Sequence, residues 1–158
     1  VRKVVFEMAG LKVEDHIPEL GMTVGQALLT PTRIYVRPIR SVLRYYRVKT
    51  VVHGIAHVTG GGIRENLSRI VPPGVRIVLD KSAWPVPPVF SWVQRLGDID
   101  EQEMENVFNL GLGMILVVSS YYAASIRHQL EDQGVPCWEI GRAEAAEESG
   151  VVWAGTPS

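Results

Sequence analysis

An apolar segment rich in β-branched residues, 51–58, runs into Thr59 and then three consecutive glycines, Gly60, Gly61 and Gly62. A strand cannot continue through that junction, because glycine packs no side chain and suits sharp changes of backbone direction. Residues 63–70 then read as a short helix. A strand end, a glycine loop and a helix start together make an anion cradle. Glycines let backbone N–H groups approach a phosphate closely, and the first helical turn offers unpaired N–H groups and a positive dipole end. The Thr59 hydroxyl adds a donor. The loop is neither a Walker loop nor a dinucleotide fingerprint, since the lysine and the G-x-G-x-x-G spacing are both absent. A tight turn that merely needs positive φ accounts for the same residues, and both readings stay open.

Other segments supply the frame. Val1, Val4, Val5 and Met8 fall at helical spacing, and the segment ends near Gly10. Residues 11–33 read as loop, broken by Pro18, Gly21, Gly25 and Pro31, around a short apolar turn at 27–29. A helix is expected over 34–46 with Val36, Ile39, Leu43 and Tyr46 inward and Pro38 in its first turn. Residues 75–80 alternate as a strand with Val75, Ile77 and Leu79 on one face. Pro87 and Pro88 start a helix carrying Val89, Val93 and Leu96, which Gly97 stops. Asp100 and Glu103 resemble a capping box for a helix bearing Met104, Val107 and Phe108. Residues 114–118 are a second buried strand, and Ser120 caps the helix of Tyr122, Ile126 and Leu130, which Gly134 stops. Residues 138–140 and 151–153 read as closing strands, with 144–150 loose between them. The interleaving predicts an α+β fold with a mixed, largely antiparallel sheet and flanking helices.

At 158 residues the chain is read as one domain over 1–155 with a tail at 156–158. A net charge of −1 provides no field to gather nucleic acid or an anionic membrane. One cysteine, Cys137, excludes an internal disulfide and a multi-cysteine zinc site. No apolar run reaches the roughly 20 residues that span a bilayer. A cytoplasmic protein is expected, binding neither nucleic acid nor membrane. The chain opens at Val1 in the middle of an apolar helical pattern, which suggests that sequence normally precedes it.

Several other groups could carry chemistry. His53 and His57 lie four apart on a strand, about 13 Å at ~3.3 Å per residue, so they cannot share a metal ion; no metal site is expected. His57, beside the glycines, is the candidate proton donor or phosphate contact, whereas His53 suits a core or edge position. Arg33, Arg37, Arg40, Arg44 and Arg47 form a basic stripe beside Tyr45 and Tyr46. A nucleic-acid surface uses such residues, but a solvated helix face explains them and fits the near-neutral charge. Arg33 stands apart, in the loop before the helix, where it could meet a bound anion. Glu101, Glu103 and Glu105 read as solvated surface, Asp80 as a turn cap, Cys137 as packing, and Asn109 as a weak ligand contact.

Three blocks occur in order: Leu29-Thr30-Pro31-Thr32-Arg33-Ile34-Tyr35-Val36, then Ile55-Ala56-His57-Val58-Thr59-Gly60-Gly61-Gly62 continuing to Glu65-Asn66, then Phe108-Asn109-Leu110-Gly111-Leu112-Gly113-Met114. In that order and spacing they resemble the second half of the AIR synthetases, phosphoribosylformylglycinamidine cyclo-ligases, and the opening Val1-Arg2-Lys3-Val4 fits the same family. Ser68 stands where many members have proline, and Arg37 where lysine is common. The resemblance implies closure of the imidazole ring of aminoimidazole ribonucleotide from formylglycinamidine ribonucleotide, with ATP and Mg2+ held mainly by the family's first half, in a homodimer. It implies that this half is inactive alone. By motif it assigns His57 to acid–base work or phosphate contact, Thr59, Gly60, Gly61 and Gly62 to the substrate phosphate, and Thr32 and Arg33 to the cleft wall. Sibling enzymes of the selenophosphate synthetase, thiamine phosphate kinase or amidotransferase type, and a non-catalytic phosphate-binding module, are the alternatives.

Overall fold

The computed structural model describes residues 1–155, and the tail expected at 156–158 lies outside them. The opening segment is helical, as its spacing predicts, but it winds as a π-helix over Lys3–Met8 and buries only Val5. Residues 11–33 are more ordered than a loop. They hold the antiparallel pair β1 (His16–Ile17) and β2 (Met22–Thr23), followed by α1 (Val24–Leu28). Thr23 and Gln26 cap α1 reciprocally, the Thr23 hydroxyl accepting from the Gln26 amide and the Gln26 side chain from the Thr23 amide. Then follow α2 (Val36–Tyr45), β3 (Val52–His57), α3 (Gly62–Ser68), β4 (Val75–Leu79), α4 (Pro88–Gly97), α5 (Glu101–Val107), β5 (Met114–Val118), α6 (Ser120–Glu131), β6 (Gly141–Ala145) and β7 (Gly150–Trp153).

The fold is α+β with mostly antiparallel pairing, but the strands form separate small sheets rather than one. β3 pairs antiparallel with β5, placing His57 opposite Met114 and Ala56 opposite Ile115. β4 is the centre of a second sheet, antiparallel to β6 and parallel to β7. α3 joins the two. Its Ile63 and Leu67 are buried in one cluster with Ala56, Ile115, Ile77 and Trp153, drawn from both sheets. Burying a side chain of that size contributes about 1.5–3 kcal/mol, so the helix after the glycines is held by core packing, not by its seven-residue length. Val5 enters a second cluster with Trp92 and Val93, and α2 and α6 meet in a third through Val42, Ile126 and Leu130.

Several expectations need correction. Residues 138–140 belong to no strand; the strand is β6, whose exposed polar alternation at the sheet edge gave no hydrophobic signal. It also takes in part of the stretch expected to be loose. α2 turns Pro38 and Val42 inward, while Val36 is 62% exposed and Leu43 is exposed too. The contact with α6, rather than the maximum of apolar residues, sets that face. Ser119, not Ser120, is the N-cap of α6 and makes no capping bond, because its hydroxyl bonds His53 Nε2 at 2.8 Å. Asp98 takes the left-handed stop after α4 at φ 46°. Gly97 instead leaves room for the Val4 methyls, which a side chain there would press upon.

Because Leu67 is 0% exposed and lies between the sheets, Leu67→Ala is expected to cost about 3 kcal/mol in urea unfolding. Leu29→Ala, at a position 79% exposed, should stay within about 0.5 kcal/mol of the parent.

Candidate functional site

The β3–β5 ladder closes with the Val58 amide donating to the Gly113 carbonyl at 3.0 Å. Beyond it the chain leaves the sheet, and the amides of Thr59, Gly60 and Gly61 find no hydrogen-bond partner among the described residues. Thr59 and Gly60 are exposed, so water or a ligand must serve those donors. Gly61 and Gly62 have φ of 94° and 66°, in the left-handed region that disfavours side chains. At Gly62 a methyl group would also overlap the backbone carbonyl of Glu105, and at Gly61 it would meet the Glu65 carboxylate. Gly60 carries neither constraint, and the space around it is open.

Beneath the loop lies Asn66, only 4% exposed. Its Nδ2 donates to the carbonyls of Gly62 at 2.7 Å, Gly60 at 3.1 Å and Thr59 at 3.4 Å. Its Oδ1 accepts from the Thr59 hydroxyl and from Arg69 Nη1, each at 3.3 Å. Glu65 stands at the rim, exposed and ion-paired with Arg69. Glu105 is not the solvated residue expected. Its side chain is 10% exposed, pairs with Lys81 and accepts from Trp153 Nε1 at 2.8 Å. That carboxylate holds the Lys81 ammonium above its ordinary range and anchors α5 where its backbone meets Gly62.

His57 ends β3 with its ring exposed, 6.4 Å centroid to centroid from Tyr35 in an edge arrangement. The Tyr35 hydroxyl end lies over Gly113, where any side chain would collide with it. Tyr35 also borders a cleft of about 540 Å³ lined by Arg33, Met114, Leu116, Arg127 and Trp138 among others. Tyr35 thus stands between His57 and this cleft. Arg33 lies in the cleft wall, with Nη1 donating to the Gly134 carbonyl at 2.8 Å. Thr32 is exposed and makes no side-chain hydrogen bond among the described residues.

The remaining candidates resolve into structural roles. Asp80 accepts from the Ser82 amide and hydroxyl, and Asn109 from the Gly111 amide at 3.0 Å, each closing a turn. Cys137 packs beside α6, and burial pushes its thiol up from the ordinary range. Among the described residues no three metal-binding side chains gather. Arg37, Arg40 and Arg44 on α2, and Arg47 just beyond it, are exposed and enter no ion pair among the described residues. Sequence reasoning missed Tyr35, Asn66 and Glu105 as site-shaping residues. Tyr35 and Asn66 sat inside quoted motifs, but nothing local says that one reaches His57 and the other three carbonyls.

Gly62→Ala should cost upwards of ~3 kcal/mol by thermal or urea unfolding, from left-handed strain plus the collision with α5. Gly60→Ala, free of both, is expected to change stability by less than about 1 kcal/mol.

A family model described as AIR synthase related protein, C-terminal domain, matches residues 4–154. The chain is 44% identical over 147 residues to the phosphoribosylformylglycinamidine cyclo-ligase of Syntrophus aciditrophicus, covering 93% of this chain and 41% of that protein. It is 41% identical over 157 residues to the Brevibacillus brevis protein of the same name, covering 97% and 44% respectively. The chain therefore spans about two fifths of the length of these curated relatives. A chain in the crystal structure of the HypE–HypF complex superposes with a TM-score of 0.57 at 19% identity, over 87% of this chain and 47% of that one. That likeness shows a shared fold.

Proposed function

Since this chain belongs to the AIR synthase related family through its C-terminal domain, we propose that it is the substrate-holding half of an ATP-dependent cyclo-ligase of purine biosynthesis. The enzyme would convert formylglycinamidine ribonucleotide to aminoimidazole ribonucleotide. One observation carries the assignment of the site: the amides of Thr59, Gly60 and Gly61 have no partner among the described residues, and Thr59 and Gly60 are exposed just after His57. Backbone donors in a turn of this kind form an anion-binding concavity, and the Thr59 hydroxyl adds to it. The ribose phosphate docks there, beside the Glu65 carboxylate, whose charge Arg69 offsets. The heterocycle precursor then extends past His57 toward Tyr35, Thr32 and Arg33.

In this arrangement His57 holds or moves a proton on the closing ring system, since its exposed imidazole offers both a proton donor and an acceptor. Tyr35 limits how that ring can turn. When bound, ATP supplies the phosphoryl group that activates the substrate's amide oxygen. Following the family resemblance, the reading gives ATP and Mg2+ mainly to the remainder of a homodimeric, cytoplasmic enzyme, without which this half is inactive.

Titrating the chain with formylglycinamidine ribonucleotide and with the riboside lacking phosphate tests the reading. The ribonucleotide should bind at least about tenfold more tightly, or ~1.4 kcal/mol, and equal affinities would defeat it. His57→Ala should leave ribonucleotide binding within about threefold. It should slow product formation by a factor of about 10²–10⁴ when the chain is assayed with the remaining part of a cyclo-ligase relative. Binding with no product from the parent mixture would favour a non-catalytic phosphate-binding module.

A further inference from the structure

We propose that Asn66 is a positioning residue that turns the Gly60 and Gly61 amides outward to the phosphate, an inference that rests on the phosphate-holding reading of the loop. A trans peptide unit is planar, so its C=O and the following N–H point to opposite sides. Asn66 Nδ2 draws the Thr59 carbonyl inward, which sends the Gly60 N–H outward. It draws the Gly60 carbonyl inward at 3.1 Å, which sends the Gly61 N–H outward. Both amides precede α3, and both are donors without a partner among the described residues. The Gly61 carbonyl receives no bond from Asn66, so nothing comparable directs the Gly62 amide.

The carboxamide cannot reverse. Flipped, its oxygen would face three carbonyl oxygens, and its NH2 would face the Arg69 guanidinium. Its own position is set by the buried neighbours Ile63 and Leu67 on α3. Core packing thus places one side chain, and that side chain sets the orientation of successive peptide units. A structural role would be to satisfy buried carbonyls, and this too predicts lost stability on substitution. Only positioning predicts a loss confined to the phosphate.

The test compares dissociation constants for formylglycinamidine ribonucleotide and its phosphate-free riboside, at a temperature where circular dichroism shows each variant folded. Asn66→Ala should lose about tenfold of the ribonucleotide preference, equivalent to ~1.4 kcal/mol, with riboside binding unchanged. Asn66→Asp, which sets a carboxylate against three carbonyls, should lose at least as much. Val93→Ala, destabilised in the separate cluster around α4, should keep the parent ratio. A retained ratio in Asn66→Ala, or an equal loss in Val93→Ala, overturns the proposal. If the parent shows no preference for phosphate, the reading of the loop itself falls, and Asn66 with it. Should neither Asn66 variant fold, amide shifts of the parent under inorganic phosphate decide. Shifts largest at Gly60 and Gly61 support the proposal, and a larger shift at Gly62 refutes it.

Discussion

The insertion of Ile63 and Leu67 between two sheets that share no strand is the contact on which this molecule turns. Neither the two-stranded β3–β5 pair nor the three-stranded β6–β4–β7 sheet can bury an apolar face alone. α3 supplies the missing surface to both. Its seven residues are too few to hold a helix in water, so helix and sheets are stable only together. The glycine loop is the lead-in to that helix, and its shape is therefore set by the core. Gly62 abuts the Glu105 carbonyl, and the Glu105 carboxylate is tied to Lys81 and Trp153.

Rigidity below and exposure above is the combination that a phosphate cradle needs. Preorganised backbone donors stabilise an anion without reorganising as it arrives. Here Asn66 satisfies carbonyls of the loop from within, while the Thr59, Gly60 and Gly61 amides have no partner among the described residues. His57 is placed by a different device, the last rung of the β3–β5 ladder opposite Met114. Tyr35, from the segment before α2, reaches over Gly113 to meet it. Three separated stretches of chain thus converge on one surface.

Local patterns carried a good deal of this. The strand into Gly60, the helix after it, the Asp100 cap, the Pro88 helix start and the existence of β5, though not its pairing with β3, were legible. Each depends on side-chain period, a capping oxygen or a restricted φ, all properties of a few neighbouring residues. The pattern failed where packing against distant chain chose the answer. β6 is polar and lies at an edge, so only its bonds to β4 make it a strand. The inward face of α2 was chosen by α6, and the Thr23–Gln26 cap lay unread inside a segment short of apolar residues.

For the site the division is similar. Composition, charge and the ordered motifs determined the fold class and the family resemblance, and they singled out the glycine loop. Tertiary structure alone decided that Gly61 and Gly62 are obligatory while Gly60 is free, and that Glu105 is anchored rather than solvated. It alone placed one buried carboxamide against the carbonyls of Thr59, Gly60 and Gly62. The reason is physical. Backbone conformation and hydrogen-bond direction at a loop are set by what packs beneath it, and here those atoms come from α3 and α5, beyond the reach of any local pattern.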